Sequence, residues 1–251
     1  FKQKTAYEIM PSLVGSEMCI RDREYIMELS DQTIGVLRNY ATINPNIVVE
    51  SGNQIKTISV ARNVLSSATI QESFPQGFGI YDLGEFLNVL DLVDGAHLSF
   101  ESDYVTIGDK TGRSAVKYYY SDPDMLTSSG KDVVMPEAEV NFTLDSDTLA
   151  RVRKAAGVLG HSELSISNTQ GAVRLSIADI SNATSNLFSI DVEGTYPEGV
   201  DFNFIMNVNN LKVIDEDFHV AISSKLISQF TSTQSDIEYF IALEKSSTYG
   251  A

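Results

Sequence analysis

The order of predicted helices and strands repeats once along the chain, and this repeat limits the fold more than any other feature of the sequence. Apolar residues at helical spacing predict helices that begin near residues 30, 84, 146 and 207. Strand-like runs follow each of these helices. The repeated order predicts a duplicated α+β architecture with few helices and many antiparallel strands.

Helix-capping residues and alternating apolar runs fix the predicted elements. Ser30 and Asp31 are expected to cap the first helix, and Ser146 the third helix, which runs through Leu159. A short fourth helix is predicted near 209–214, and residues 51–53 are predicted to form a hairpin turn between the first two strands. Strands are predicted at 47–50, 55–61, 68–73, 77–83, 97–101, 104–107, 114–120, 139–144, 163–167, 173–178, 187–192, 202–207, 219–224, 228–232 and 237–243.

A change of composition separates the two copies of the pattern. Residues 123–136 contain two prolines, Gly130 and a Ser/Thr cluster, which is typical of a connector. The sequence therefore predicts one domain over 27–122, a connector over 123–136 and a second domain over 137–251.

Residues 1–26 differ from the rest of the chain and are expected to be a non-native or disordered leader. The run FKQKTAYEIMPSLVGSEMCIRDR resembles translated sequencing-adapter sequence, and Met27 opens a phrase that reads as a natural start. Pro11 and Glu17 interrupt the apolar stretch that a signal peptide needs. The leader also holds the single cysteine, Cys19, so neither an intramolecular disulfide nor a cysteine-based metal cluster is expected.

The net charge and the hydropathy of the sequence restrict the kinds of partner that the protein can bind. The formal net charge is −16 at pH 7, which opposes binding to phosphates unless the cations are concentrated in one place. No window approaches the roughly 18 apolar residues of a membrane span, so no membrane partner is expected.

Five of the fourteen lysine and arginine residues outside the leader lie in predicted helices, and the second helix carries none. On a helical wheel of the third helix, Arg151 and Lys154 project opposite the apolar face, with Arg153 on its flank. A basic face on one helix is most often only a solvated surface. In so acidic a chain, however, a basic strip favours nucleic acid, and without interleaved aromatic residues the contacts would be sequence-independent phosphate contacts. Five Lys and Arg residues lie in predicted helices: Arg38, Arg151, Arg153, Lys154 and Lys212.

Three phrases resemble one known family. LRNYATIN (37–44), IYDLGEFLNVLDLV (80–93) and FNFIMNVNNLKV (202–213) are similar to segments of the sliding clamp of T-even-type tailed bacteriophages, in the same order and spacing. The resemblance implies a DNA-clamp fold with two similar domains per subunit, each with two helices lining a central hole and sheets outside. It implies that three subunits close head-to-tail into a homotrimeric ring around double-stranded DNA.

The resemblance also implies partners and sites. The family tethers the replicative DNA polymerase, is opened by an ATP-dependent clamp loader and assists late-transcription proteins, in the cytoplasm of the infected host cell. Arg38, Arg151, Lys154 and Lys212 match basic positions of the family's inner helices, and Arg153 is added as a neighbouring cation. In clamps the partner-peptide pocket lies beneath the connector, which makes Val133, Val134 and Met135 candidates, unless they are ordinary strand residues.

No motif of an enzyme, metal site or cofactor site is recognised. The three histidines, His97, His161 and His219, lie far apart, and the glycine-containing run at 108–114 is read as a hairpin, not a P-loop. No enzymatic activity and no cofactor are therefore expected. The alternative to a clamp is a β-rich structural or virion accessory protein that does not enclose DNA; it predicts no closed trimer.

Overall fold

The computed structural model describes residues 26–129, 133–179, 182 and 184–250. Its helices are α1 (Asp31–Ile43), α2 (Leu83–Leu92) and α3 (Ser146–Leu159). Its strands are β1 (Ile26–Met27), β2 (Ile47–Val49), β3 (Gly52–Ile58), β4 (Val64–Phe74), β5 (Phe78–Ile80), β6 (His97–Phe100), β7 (Tyr104–Gly108), β8 (Ala115–Tyr119), β9 (Val140–Leu144), β10 (Glu163–Thr169), β11 (Ala172–Ile177), β12 (Phe188–Val192), β13 (Gly194–Thr195), β14 (Phe202–Asn207), β15 (Phe218–Ser223), β16 (Ile227–Ser232), β17 (Ile237–Ala242) and β18 (Thr248–Tyr249).

Side-chain caps define where the helices begin. The Ser30 hydroxyl accepts a hydrogen bond from the Thr33 amide, as predicted for α1. The predicted cap of α3 was wrong by one residue. The Asp145 carboxylate accepts the Thr148 amide at 2.6 Å, and Ser146 is the first helical residue. A carboxylate at this position also lies favourably at the positive end of the helix dipole.

The predicted fourth helix at 209–214 is wrong. The structure has a single 3-10 turn at Val208–Asn210, followed by irregular backbone. The Asn207 side chain accepts the Asn209 amide at 3.0 Å, a local bond that competes with helical hydrogen bonding. Beyond it, buried Leu211 and Val213 alternate with an exposed residue, which is an extended pattern and not a helical one.

The predicted hairpin between β2 and β3 is also wrong. β2 pairs with β5 instead, with Ile47 opposite Ile80. The chain does turn at residues 51–53, where Gly52 has φ +113°, a backbone conformation that favours glycine. The turn carries the chain into a different sheet, so two strands adjacent in sequence are not paired.

One continuous sheet joins the two halves of the chain. Its seven strands have the order β13-β9-β15-β16-β17-β4-β3, and the junction is the antiparallel pair β17 and β4, with Ile237 opposite Ala68 and Ile241 opposite Val64. A four-stranded sheet, β1-β6-β7-β8, belongs to the N-terminal half, together with the pair β2-β5. A five-stranded sheet, β12-β11-β10-β14-β18, belongs to the C-terminal half.

The connector is partly anchored to the N-terminal half. It begins with a 3-10 turn at Pro123–Met125, and the next residue, Leu126, is buried. Residues 130–132 of the connector and 1–25 of the predicted leader lie outside the described residues, whereas Ile26 pairs with Ser99. We retain 27–122, 123–136 and 137–251 as the proposed division of the chain.

Candidate nucleic-acid interface and connector groove

The face of α3 opposite the core presents two cations. Leu149 and Val152 are buried against the sheets, and Arg151 and Lys154 are exposed on the other side. Within the described ranges, neither cation makes a salt bridge or a side-chain hydrogen bond. The pKa of the Asp145 carboxyl is lowered, first by the Thr148 amide that donates to it and to a smaller degree by Arg151. Arg151 and Lys154 are thus available to a ligand.

Arg38 is already paired with a carboxylate. Its Nη2 lies 2.7 and 2.8 Å from the two oxygens of Asp91 in α2, which joins α1 to α2. Both side chains are about half exposed, 55% and 51%. Exposed pairs of this kind stabilise proteins by about 0–1 kcal/mol and are screened by salt. A phosphate could therefore compete with Asp91 for Arg38 at little cost.

Arg153 and Lys212 are held more firmly. Arg153 donates to Asp215 at 2.6 Å and to the carbonyl oxygens of Leu211 and Val213 at 2.9 and 2.5 Å. Lys212 Nζ donates to the Thr42 carbonyl at 2.6 Å, near the C-terminal end of α1. The segment 211–215 therefore lies between α1 and α3.

These contacts bring three of the five predicted cations, Arg38, Arg153 and Lys212, to one shallow groove of about 500 Å³. The sequence did not indicate the acceptors that bind them. Asp91, Asp215 and the carbonyl of Thr42 lie far from these cations in the sequence, and nothing local marks them as their partners.

A second groove lies beneath the connector, at the junction of the two halves. Val133 lines a cavity of about 220 Å³. Val134 is 85% exposed and Met135 half-buried, and neither lines this cavity. The alternative that these three residues form a strand is wrong, since none of them has strand structure. The other lining residues are Gln54, Lys56, Leu65, Ser67, Ser129, Glu238 and Phe240, from β3, β4, the connector and β17.

Two longer strand edges remain unpaired within the described part of the chain. β8 ends the four-stranded sheet and β12 ends the five-stranded sheet. The edge of β3 is different, because connector residues Ser128, Ser129 and Val133 line cavities together with its residues. Each of the two free edges has a large exposed apolar residue beside or within it: Tyr119 is 65% exposed and Leu187 63%. An unpaired edge with exposed apolar side chains favours pairing with another chain.

Two further grooves do not suit a phosphate. They have volumes of about 590 and 960 Å³, flank β13 and share Gly194 and Thr195. Neither is lined by Lys or Arg among the residues described. In that same part of the chain no group of three or more His, Cys, Asp or Glu residues is placed to hold a metal ion. None of its helices is long and apolar enough to cross a membrane.

Comparison with known proteins identifies the family. Residues 30–134 match the family model of the DNA polymerase processivity factor, and residues 141–245 match the model of the gp45 sliding clamp, C terminal. The sliding clamp of Vibrio phage KVP40 is 34% identical over 224 residues, which span 87% of this chain and 99% of that protein. This chain belongs to the sliding-clamp family. The sliding clamps of Escherichia phage RB69 and Enterobacteria phage T4 are each 28% identical, over 89% of this chain and 99% of theirs.

Solved structures confirm the clamp fold. The proliferating cellular nuclear antigen of Entamoeba histolytica superposes with a TM-score of 0.63 at 12% identity, covering 84% of this chain and 94% of that one. The PCNA of A. fulgidus, in a structure with the C-terminal region of FEN-1 bound, gives 0.65 at 13% identity, over 89% and 98%. The predicted family and the predicted duplicated α+β clamp fold are both confirmed. The second clamp domain departs from the expected pair of helices, with α3 and one 3-10 turn in its described part.

Proposed function

We propose that this clamp encircles double-stranded DNA as a head-to-tail ring of three subunits and tethers the replicative DNA polymerase for processive synthesis. The observation that carries the proposal is the pair of exposed cations, Arg151 and Lys154, on α3 of a chain whose net charge is −16. The matches to processivity-factor and sliding-clamp models over both halves support it. Of the other three cations, Arg38 and Arg153 are paired with carboxylates, whereas Lys212 binds a neutral carbonyl and keeps its full positive charge.

Weak contacts suit a protein that holds DNA by enclosure. Affinity for DNA and its dependence on salt both increase with the number of phosphates that are neutralised. A few cations per subunit give a mobile association that does not oppose sliding, and contacts to phosphates carry no sequence preference. The acidic remainder of the surface would repel DNA outside the ring.

The two free sheet edges supply the surfaces that a head-to-tail ring needs. Such a ring joins two different surfaces of each subunit, and it closes when the rotation between subunits returns to the start. β8 belongs to the N-terminal clamp domain and β12 to the C-terminal one. Pairing β8 of one subunit with β12 of the next would bury both edges and cover Tyr119 and Leu187.

The mass of the chain in solution tests the ring directly. Light scattering behind size-exclusion chromatography, over a wide range of concentration, is expected to show a mass that rises to three subunits. The physical reason is that pairing of exposed edges depends on concentration by mass action. A monomer at every concentration would contradict enclosure and favour the β-rich structural or virion accessory protein.

The groove beneath the connector is the proposed site for partner peptides of the polymerase and of late-transcription proteins. It combines apolar Leu65, Phe240 and Val133 with hydrogen-bonding groups, as peptide-binding grooves do. Its lining residues belong to strands and the connector and not to the helices proposed to line the hole, so the groove would remain accessible while DNA occupies the hole. The ATP-dependent clamp loader is a further proposed partner, in the cytoplasm of the infected host cell. We propose no catalytic residue and no cofactor, because ring opening uses ATP bound by the loader.

Substitution of two adjacent valines tests whether the polymerase binds in the groove or on the exposed outer face of the connector. Val133→Glu places a carboxylate in the groove and is expected to weaken polymerase binding by about tenfold or more, the effect of about 1.4 kcal/mol. Val134→Glu adds the same charge at an 85% exposed position and is expected to have little effect. Binding of the polymerase to both variants can be measured by surface plasmon resonance. Equal losses in the two variants would move the site from the groove to the outer face of the connector.

A further inference from the structure

The segment that replaces the predicted fourth helix needs another source of hydrogen bonds. Leu211 and Val213 are buried side chains whose carbonyl oxygens lack helical partners. A buried carbonyl without a donor costs about 1–3 kcal/mol. Arg153 Nη2 donates to both oxygens, and Nη1 donates to the Asp215 carboxylate. One guanidinium thus satisfies three acceptors along five residues of irregular chain.

The geometry requires arginine and not merely a positive charge. The guanidinium presents five N–H donors in a rigid planar fork, whereas the lysine ammonium is a compact group with three donors. The Arg153 side chain is 29% exposed, so much of it is covered by the segment that it binds. Its position differs from that of Arg151, which lies on the solvent face two residues earlier. The two arginines of one helix have different surroundings and different partners.

The same segment then reaches the other clamp domain. Lys212 Nζ donates to the Thr42 carbonyl, one of the last carbonyls of α1, which lack partners within the helix. A cation at the C-terminal end of a helix is also favourable for the helix dipole. In the opposite direction, Asn39 Nδ2 of α1 donates to the Lys212 carbonyl at 3.0 Å.

A tyrosine of the shared sheet completes this junction. The Tyr239 hydroxyl donates to Asn39 Oδ1 at 2.8 Å and accepts the Ile214 amide at 3.3 Å. Tyr239 is fully buried, and burial raises the pKa of its hydroxyl well above the ordinary value, so the hydroxyl keeps its proton and can donate. Helix α1, the segment 211–215 and strand β17 are therefore linked through hydrogen-bonded side chains.

We infer that Arg153 is a positioning residue: it fixes the segment 211–215 so that Lys212 and Asn39 join this segment of the C-terminal clamp domain to helix α1 of the N-terminal one. Arg153 is thereby distinct from Arg151 and Lys154, whose side chains are free for DNA. The inference concerns contacts within one subunit and does not depend on the proposed ring.

Hydrogen exchange of backbone amides tests the inference, with Arg151 as the matched control. Arg153→Lys and Arg153→Gln are both expected to accelerate exchange of the amides of residues 211–215 by about tenfold or more, because local opening there loses its restraint. Exchange at residues 42–44, the end of α1, should accelerate as well. Arg151→Lys and Arg151→Gln should leave both regions unchanged. Normal exchange in Arg153→Lys would overturn the inference, since charge alone would then suffice.

A second variant keeps the test informative if the Arg153 variants do not fold. Lys212→Met removes the donor to Thr42 and leaves Arg153 in place. It is expected to accelerate exchange at 42–44 while 211–215 stays protected. Unchanged exchange at 42–44 would overturn the joining role of the segment.

The salt dependence of DNA binding distinguishes the positioning role of Arg153 from the DNA contacts of the proposed function. Arg151→Gln should lower the salt slope of DNA association by about one for each phosphate contact that is lost. Arg153→Lys should leave that slope unchanged while its exchange is accelerated. If Arg151→Gln has no effect on the slope, the DNA contact fails and the exchange results still decide the role of Arg153. A lowered slope in Arg153→Gln with normal exchange would make Arg153 a phosphate ligand and overturn the positioning role.

Discussion

Replacing Arg151 and Lys154 by glutamate is expected to abolish clamp-dependent stimulation of the DNA polymerase while the subunit remains folded. Both side chains are exposed and unpaired within the described residues, so their substitution removes no salt bridge and no side-chain hydrogen bond. Surface changes of this kind alter stability by about 0.5 kcal/mol or less.

The expected loss is large because attraction becomes repulsion at the same place. Each phosphate contact contributes to affinity and to the salt slope, and a carboxylate at that position opposes the phosphate. A closed ring repeats the change in every subunit. Primer extension by the polymerase with loaded clamp, measured at increasing salt, is the direct assay, and circular dichroism checks the fold.

Two other lysines give a control with the same change of net charge. Lys225 and Lys245 are exposed in turns outside α3, and neither side chain has a salt-bridge partner among the residues described. The double substitution Lys225→Glu and Lys245→Glu should preserve most of the stimulation. If both double variants lose stimulation equally, net charge decides the outcome and α3 has no special role in DNA binding.

The elements that sequence alone could predict are those whose signal is local. Helix α3 was predicted because Leu149, Val152 and Ala156 form an apolar stripe within three turns, and the structure buries all three. Strand β14 was predicted at its observed bounds because a run of apolar residues has a clear end at Asn207. In both cases the residues that make the pattern also make the core.

The failures arose where distant residues or side-chain chemistry decide the structure. After Asn207 the apolar residues at 208, 211 and 214 have a spacing that suits a helix, but the Asn207 side chain accepts the Asn209 amide. The pairing of β2 with β5 depends on residues 33 positions apart, Ile47 and Ile80, so a local turn signal at Gly52 predicted the wrong partner.

The residues of the candidate site also differ in whether the sequence alone could predict their surroundings. The exposure of Arg151 and Lys154 follows from the helical wheel of one helix. The partners of Arg153 lie 58 to 62 residues away, and Lys212 binds a carbonyl 170 residues away. The spacing of apolar residues predicts which side of a helix or strand faces water. It does not predict which distant carbonyl will accept a hydrogen bond from a cation. The roles of these basic residues therefore separate only once the fold is known.

Replacing Lys117 by proline is expected to prevent the ring from closing without unfolding the sheet to which β8 belongs. The Asp109 amide donates to the Ser114 carbonyl, and the Tyr120 amide to the Asp103 carbonyl, which identifies two hydrogen-bonded pairs at the ends of the β7-β8 ladder. Such pairs alternate along antiparallel strands, so Lys117, opposite Thr106, belongs to a pair without mutual hydrogen bonds. Its backbone N–H points away from β7, toward the free edge.

Proline at this position therefore removes a donor from the proposed contact between subunits and none from the β7-β8 ladder. Proline is tolerated on edge strands when its missing N–H faces outward. The proline side chain also occupies the place of the lost hydrogen bond, so strand β12 of the next subunit cannot approach β8 closely. A loss of about 1.4 kcal/mol weakens each contact tenfold, and in a closed trimer the loss is repeated at every contact.

Light scattering over a range of concentration should show the proline variant as a monomer where the unmodified chain is trimeric. Lys117→Ala is the matched control, because the lysine also lies over the ring of Tyr104, at 4.5 Å from its centroid, and proline removes that contact too. The alanine variant keeps the backbone donor and should remain trimeric. A trimer in the proline variant, with its thermal unfolding unchanged, would show that the subunits meet at another surface, and β8 would then be a free edge in the assembled clamp.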